Sequence, residues 1–201
     1  MRAFLRWPAV AIALALPCAG AEGADPEWDG KPLAYWVGLL REVPKDERSA
    51  SPDWRKAPWA ISRIGVSAIP ALITILGDPR PEVRLRGIRP LVAMGSAASD
   101  AAPALTARLK DDDTKVRQWS AVALGTIGAP AVGAVPTLIA TLKDPEAAVR
   151  QAAAAALGNM GSDDAVAPLE EALSDASVPV QKAARLSLDR LRPPASPAPK
   201  S

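Results

Sequence analysis

The feature that most constrains this chain is a phrase it repeats. The middle copy reads Pro103-Ala-Leu105, Leu109-Lys-Asp111, Val116-Arg117, Leu124-Gly125 and Ile127-Gly128. The copy before it runs Pro70-Ala-Leu72, Leu76-Gly-Asp78, Val83-Arg84, Leu91 and Met94-Gly95. The copy after it runs Pro136-Thr-Leu138, Leu142-Lys-Asp144, Val149-Arg150, Leu157-Gly158 and Met160-Gly161. Leu72, Leu105 and Leu138 are 33 residues apart, as are Val83, Val116 and Val149. A fixed period of this size predicts a stack of similar units, each covering its neighbour, rather than one closed core.

Within each unit the punctuation is helical. A proline marks the start of a first helix, where its missing N–H costs nothing. That helix ends at Leu-x-Asp, a short turn follows, and a second helix opens near Val-Arg. It stops at Gly95, Gly128 or Gly161, each where a residue tolerant of left-handed angles is needed. The pattern predicts an all-α solenoid of about five helical hairpins. A degenerate first unit occupies the region from Leu33 to Gly65, with one helix over Leu33 to Arg41 and another from Pro52. Pro58 is expected to restrict where regular helix in the second begins. The fifth unit shortens to a spacing of 31, aligning Leu169, Asp175 and Val180, and puts Gln181 where the others have Arg. Terminal units are expected to depart in this way, because one face has no neighbour.

Outside the array the chain changes character. Residues 1–21 read as a signal peptide, with Arg2 and Arg6 before the apolar run Val10 to Leu16, and Ala19-Gly-Ala21 as the cleavage site. The protein is therefore expected to be exported, periplasmic or extracellular. The apolar run is too short for a permanent span, and an uncleaved anchor is the alternative. Residues 22–32 read as a polar lead-in, 33–191 as the repeat domain, and 192–201 as a disordered Pro-rich tail.

The repeat columns resemble the HEAT repeat, specifically the short phycobilisome-lyase-type HEAT-like repeat. Asp29-Gly-Lys-Pro-Leu-Ala-Tyr-Trp36 also resembles the start of exported bacterial HEAT-repeat proteins of unassigned role. The resemblance implies an α-solenoid whose second helices line a concave face. It further implies that Asp78, Asp111 and Asp144 form a ladder with Arg84, Arg117 and Arg150 between neighbouring units.

Composition narrows the chemistry. Without Arg2 and Arg6 the 24 basic residues fall to 22, against 22 acidic ones, so nucleic-acid binding is not expected. Histidine is absent and Cys18 is the sole cysteine, which removes the commonest general base, the commonest metal ligand and any internal disulfide. No phosphate loop or metal cluster is present in the sequence, and no cofactor is expected. Asp111-Asp-Asp113 and Asp163-Asp164 lack the Gly turn and closing Glu of a calcium loop and read as helix caps.

A pattern that repeats with the structural period belongs to the scaffold, so the candidate site lies where the units disagree. Two, three and six residues past the Val column, the second helices carry Arg55, Lys56 and Trp59, then Leu85, Arg86 and Arg89. The next two carry Gln118, Trp119 and Val122, then Gln151, Ala152 and Ala155. These offsets share one helix face. The predicted partner-binding stripe is Arg55, Lys56, Trp59, Arg86, Arg89, Gln118, Trp119 and Gln151, because Arg and Trp concentrate interface energy. Packing tryptophans and solvated arginines are the alternative. Pro90 is expected to remove a bond within its helix. The favoured function is a non-enzymatic scaffold gripping a protein or peptide. The alternatives are an enzyme or enzyme subunit of the bilin (tetrapyrrole) lyase type, as the resemblance implies, and a spacer in an envelope assembly.

Overall fold

A computed structural model describes residues 25–44 and 50–192. The expected signal peptide and most of the Pro-rich tail lie outside the described residues. A two-stranded hairpin, β1 (Glu27–Trp28) and β2 (Lys31–Pro32), leads into five helical pairs. These are α1 (Leu33–Arg41) with α2 (Pro52–Ile64), α3 (Ile69–Ile75) with α4 (Pro81–Met94), and α5 (Ala102–Arg108) with α6 (Thr114–Ile127). Two further pairs complete the stack, α7 (Val135–Thr141) with α8 (Ala147–Met160), and α9 (Val166–Ala172) with α10 (Val178–Leu191). The fold is the all-α solenoid that the period predicts.

The repeated residues do what their columns imply. Leu72, Leu105, Leu138 and Leu169 are fully buried, as are Val83, Val116, Val149 and Val180. Pro70, Pro103 and Pro136 sit in the first turn of α3, α5 and α7. Gly95, Gly128 and Gly161 close the second helices at φ of 59°, 73° and 73°, where a Cβ would strain the backbone. A short 3-10 turn then carries the chain into the next unit.

From Asp111 onward, each ladder aspartate accepts from the backbone N–H two residues on and from the arginine of the preceding unit, and Asp111 also from Arg108 at 3.4 Å. Asp111 accepts from the backbone N–H of Asp113 at 3.1 Å and from Arg84 of the preceding unit at 2.6 Å. Asp144 is held by a two-point bond from Arg117, at 2.8 and 3.1 Å, and Asp175 by one from Arg150, at 2.8 and 2.9 Å. The same arginines reach back to the carbonyls of their own turn, as Arg150 does to Asp144 at 2.8 Å and Pro145 at 3.0 Å. One guanidinium thus satisfies orphan carbonyls and clamps two units together. These bonds hold the Arg117 and Arg150 guanidiniums above their ordinary pKa and the Asp175 carboxyl below its own. The ladder stops at both ends. Gln181 donates to the Asp175 carbonyl at 2.7 Å but reaches no further unit. Asp78 pairs with Arg80 of its own turn, because Trp54 stands where an earlier arginine would.

The second helices pack directly on one another along the stack, whereas successive first helices meet mainly through the 3-10 turns. Small residues permit this approach. A Cβ on Gly125 would lie 2.9 Å from the Ala156 Cα, and one on Gly158 would lie 2.7 Å from the Ser187 Cα. The stack is therefore tightest along its second-helix side.

Two local expectations are corrected, and the polar lead-in gains detail. Within it, residues 27–32 form a hairpin. Asp29 and Gly30 both take positive φ, 54° and 67°, which is the conformation an Asp-Gly pair supplies to a tight hairpin. Pro58 does not delay its helix. Ser51 caps α2 by accepting from the Trp54 N–H, and Pro58 lies inside the helix. Asp113 caps α6 through the Val116 N–H at 2.9 Å, but Asp163 and Asp164 lie in a 3-10 turn.

Candidate functional site

The proline inside α2 creates the local problem around which the site is built. Pro58 has no N–H to offer the carbonyl four residues earlier, that of Trp54. Arg86 of α4 fills this gap, its Nη2 donating to the Trp54 carbonyl at 2.9 Å. The same nitrogen reaches the Leu39 carbonyl at 3.2 Å, one of the orphan acceptors in the last turn of α1. The guanidinium lies over the Trp54 indole, 3.7 Å from the ring centroid. Such stacking adds on the order of 2 kcal/mol when desolvated. Burial, then the charge of Arg89, pushes the Arg86 pKa down to about 10, and Glu42 acts in the opposite sense. The group still carries its charge at neutral pH.

Above this guanidinium lies a cavity of about 510 Å³. Val43 and Pro44 of the α1–α2 connection, Trp54 and Pro58 of α2, and Leu85 of α4 give it apolar walls. Arg55, Arg86 and Arg89 supply its cationic groups, with Glu82 the one carboxylate in the lining. Arg89 is exposed, and among the described residues it has no ion-pair partner.

The predicted stripe is thereby divided. Arg55, Arg86 and Arg89 come together on one cavity, with Arg86 as its buried floor and the other two at the surface. Lys56 is exposed on the neighbouring turn, close enough for its charge to act on Asp53. Trp59 is 56% exposed, but its ring meets Trp28 edge-on at 4.9 Å, so it also belongs to the N-terminal cap. Trp119 is half-buried against the core and Gln118 is half-buried beside it. Gln151 lies apart, on a second cavity between α8 and α10 with Lys182 and Leu186. Offsets two and six in the fifth unit are Lys182 and Leu186, so extending the same count would have found them. Trp54 was the larger omission. Its signal was the proline four residues later, which leaves a carbonyl in want of a donor.

The N-terminal cap steadies this corner. Trp36 is fully buried, and its Nε1 donates to the carbonyls of Trp28 and Lys31, both at 3.2 Å. Lys31 forms an ion pair with Asp53, which also accepts from the Tyr35 hydroxyl at 2.8 Å. The hydrogen bond from Lys31, then that from Tyr35, lowers the Asp53 carboxyl below its ordinary range. Among the described residues, no three His, Cys, Asp or Glu side chains converge as a metal site.

The model of HEAT repeats matches residues 49–125 and 102–189, well over half the chain. The chain belongs to the HEAT-repeat family. None of the curated proteins matches it in sequence. Among solved structures, this HEAT-repeat chain is similar to one in the complex of CpcE and CpcF of phycocyanin lyase from Nostoc sp. PCC7120. That match has 22% identity and a TM-score of 0.65, covering 77% of this chain and 96% of that one. It is also similar to a designed armadillo repeat protein in complex with the peptide (KR)4, at 22% identity and TM-score 0.59, covering 79% and 81%. At such identities the likeness shows the shared α-solenoid fold alone.

Proposed function

We propose that this HEAT-repeat protein is a non-enzymatic scaffold that binds a protein or peptide along the concave face formed by its second helices. One observation carries the reading. The period-bound charges Arg84, Arg117 and Arg150 are all engaged in the ladder, whereas Arg89 and the cavity beside it break the period and face outward. Binding energy at interfaces concentrates in such Arg and aromatic positions beside apolar pockets. Close packing of the second helices supports the choice of face, because a stack curves toward its tighter side. The designed armadillo neighbour is in complex with a peptide, which supports a peptide segment as the occupant. Cross-linking in the native host with mass spectrometry tests this. Cross-links to α2, α4 and α6 are expected, and links confined to the first helices, near Ile73 or Val132, would overturn it.

The second reading is an enzyme or enzyme subunit of the bilin lyase type, favoured by the likeness to the phycocyanin lyase structure. Visible absorbance co-purifying with the protein would replace the scaffold reading with this one. Export through residues 1–21 is proposed on the Arg-led apolar run and its small-residue site. Fractionation and N-terminal sequencing should find a mature chain beginning at Glu22 outside the cytoplasm.

A further inference from the structure

The cavity over Arg86 specifies what kind of segment it would accept. Two guanidiniums, Arg86 and Arg89, act on one another as like charges, and among the described residues neither is paired with a carboxylate. Arg86 is 9% exposed and its Nε is buried without a partner, so its remaining demand for a counter-charge is not met by water. Glu82 is the one acid in the lining, against three arginines. The walls beside these charges are apolar, with two prolines and an indole on which the Arg86 guanidinium is stacked. Beyond the cavity the same face stays basic, with Lys56, Lys115 and Lys182 all exposed.

Resting on the scaffold reading above, we propose that the cavity binds an acidic peptide segment in which a carboxylate side chain neighbours an apolar one. The carboxylate lies against the exposed Arg89, with the charge of Arg86 in the cavity floor beneath it, and the apolar side chain lies between Trp54, Pro58 and Leu85. A carboxylate satisfies a guanidinium at two points, a geometry that a neutral amide cannot reproduce. A basic peptide is repelled by the same groups.

The test uses the full chain and three soluble peptides, alternating Glu-Leu, Gln-Leu and Lys-Leu, titrated by calorimetry at low and moderate salt. The Glu-Leu peptide should bind saturably, and the Gln-Leu peptide about tenfold or more weakly. Arg89→Glu, at an exposed position, should lose a similar factor with helicity unchanged, while Lys110→Glu, exposed just after the first helix α5, should bind almost as the parent does. Equal affinity for Glu-Leu and Gln-Leu would overturn the proposal. So would equal losses in the two variants, or no saturable binding at all. The broader reading fails separately: cross-links confined to the first helices would remove both, whereas cross-links to α2 and α4 without acidic-peptide binding would remove only this one.

Discussion

The ladder from α3 to α10 and the corner formed by the hairpin, α1 and α2 hold their helices by opposite means. In the ladder one solution recurs. An arginine bonds its own turn and the aspartate of the next unit, so each interface resembles the last. At the corner every contact occurs once. Trp36 plugs the hairpin, Lys31 and Tyr35 converge on Asp53, and Arg86 repairs the carbonyl that Pro58 leaves bare. A repeated interface builds length, and a unique one builds a surface unlike the rest. The cavity proposed as a binding site stands where the two kinds meet.

Breaking each region should separate them. Trp36→Ala empties the cap and is expected to cost about 3 to 5 kcal/mol. Hydrogen exchange should show α1 and α2 opening while α6 to α10 stay protected, since coupling in such arrays is between neighbours. Loss of protection in α10 to the same degree would mean that the cap governs the whole stack. Arg117→Ala leaves Asp144 nearly buried without its counter-charge and should cost about 3 kcal/mol, with exchange rising on both sides of the α6–α8 interface.

A double-mutant cycle sharpens the corner. Arg86→Ala should cost about 2 kcal/mol, because it strands the Trp54 and Leu39 carbonyls. Pro58→Ala restores an N–H for Trp54, so the same Arg86→Ala change should be milder in that background. Additive losses would mean that the two residues do not share the carbonyl.

Acid should act on the ladder through Asp175. Its carboxyl is held below its unfolded value, first by the bond from Arg150, so this stabilisation is complete above the ordinary carboxylate range. It is lost as pH falls through the lowered value. Helicity and α10 protection should fall with acidification below about pH 4, and Asp175→Asn should flatten that response. The smallest effect is expected from Gln181→Arg, within about 0.5 kcal/mol in denaturant melts, because no later aspartate receives the new charge.

The contrast also explains what could be read in advance. The columns of Leu72, Val83, Arg84 and Gly95 announce their roles by recurrence, and all of them act as the period implies. The ladder was visible for the same reason. Recurrence carries no information about a contact made once. Helical spacing puts Trp59 in the partner-binding stripe, yet its ring also meets a hairpin whose only local sign is Asp29-Gly30. The same spacing puts Arg86 in that stripe and says nothing of its burial. Its burial depends on Pro58 lying 28 positions earlier in the chain, which removes the donor that an ordinary helix would have supplied. The face carrying Arg55 and Arg89 was readable from helical spacing, but its closing walls at Val43 and Pro44 come from an irregular connection.

The ends of the ladder carry a consequence for how copies of the protein meet. Asp78 is already occupied by Arg80, and Gln181 lacks the charge and the reach to grasp another chain's aspartate. The arginine half of the clasp that joins the internal units is thus missing from the last described unit, so copies of the protein set end to end would have to meet by other contacts.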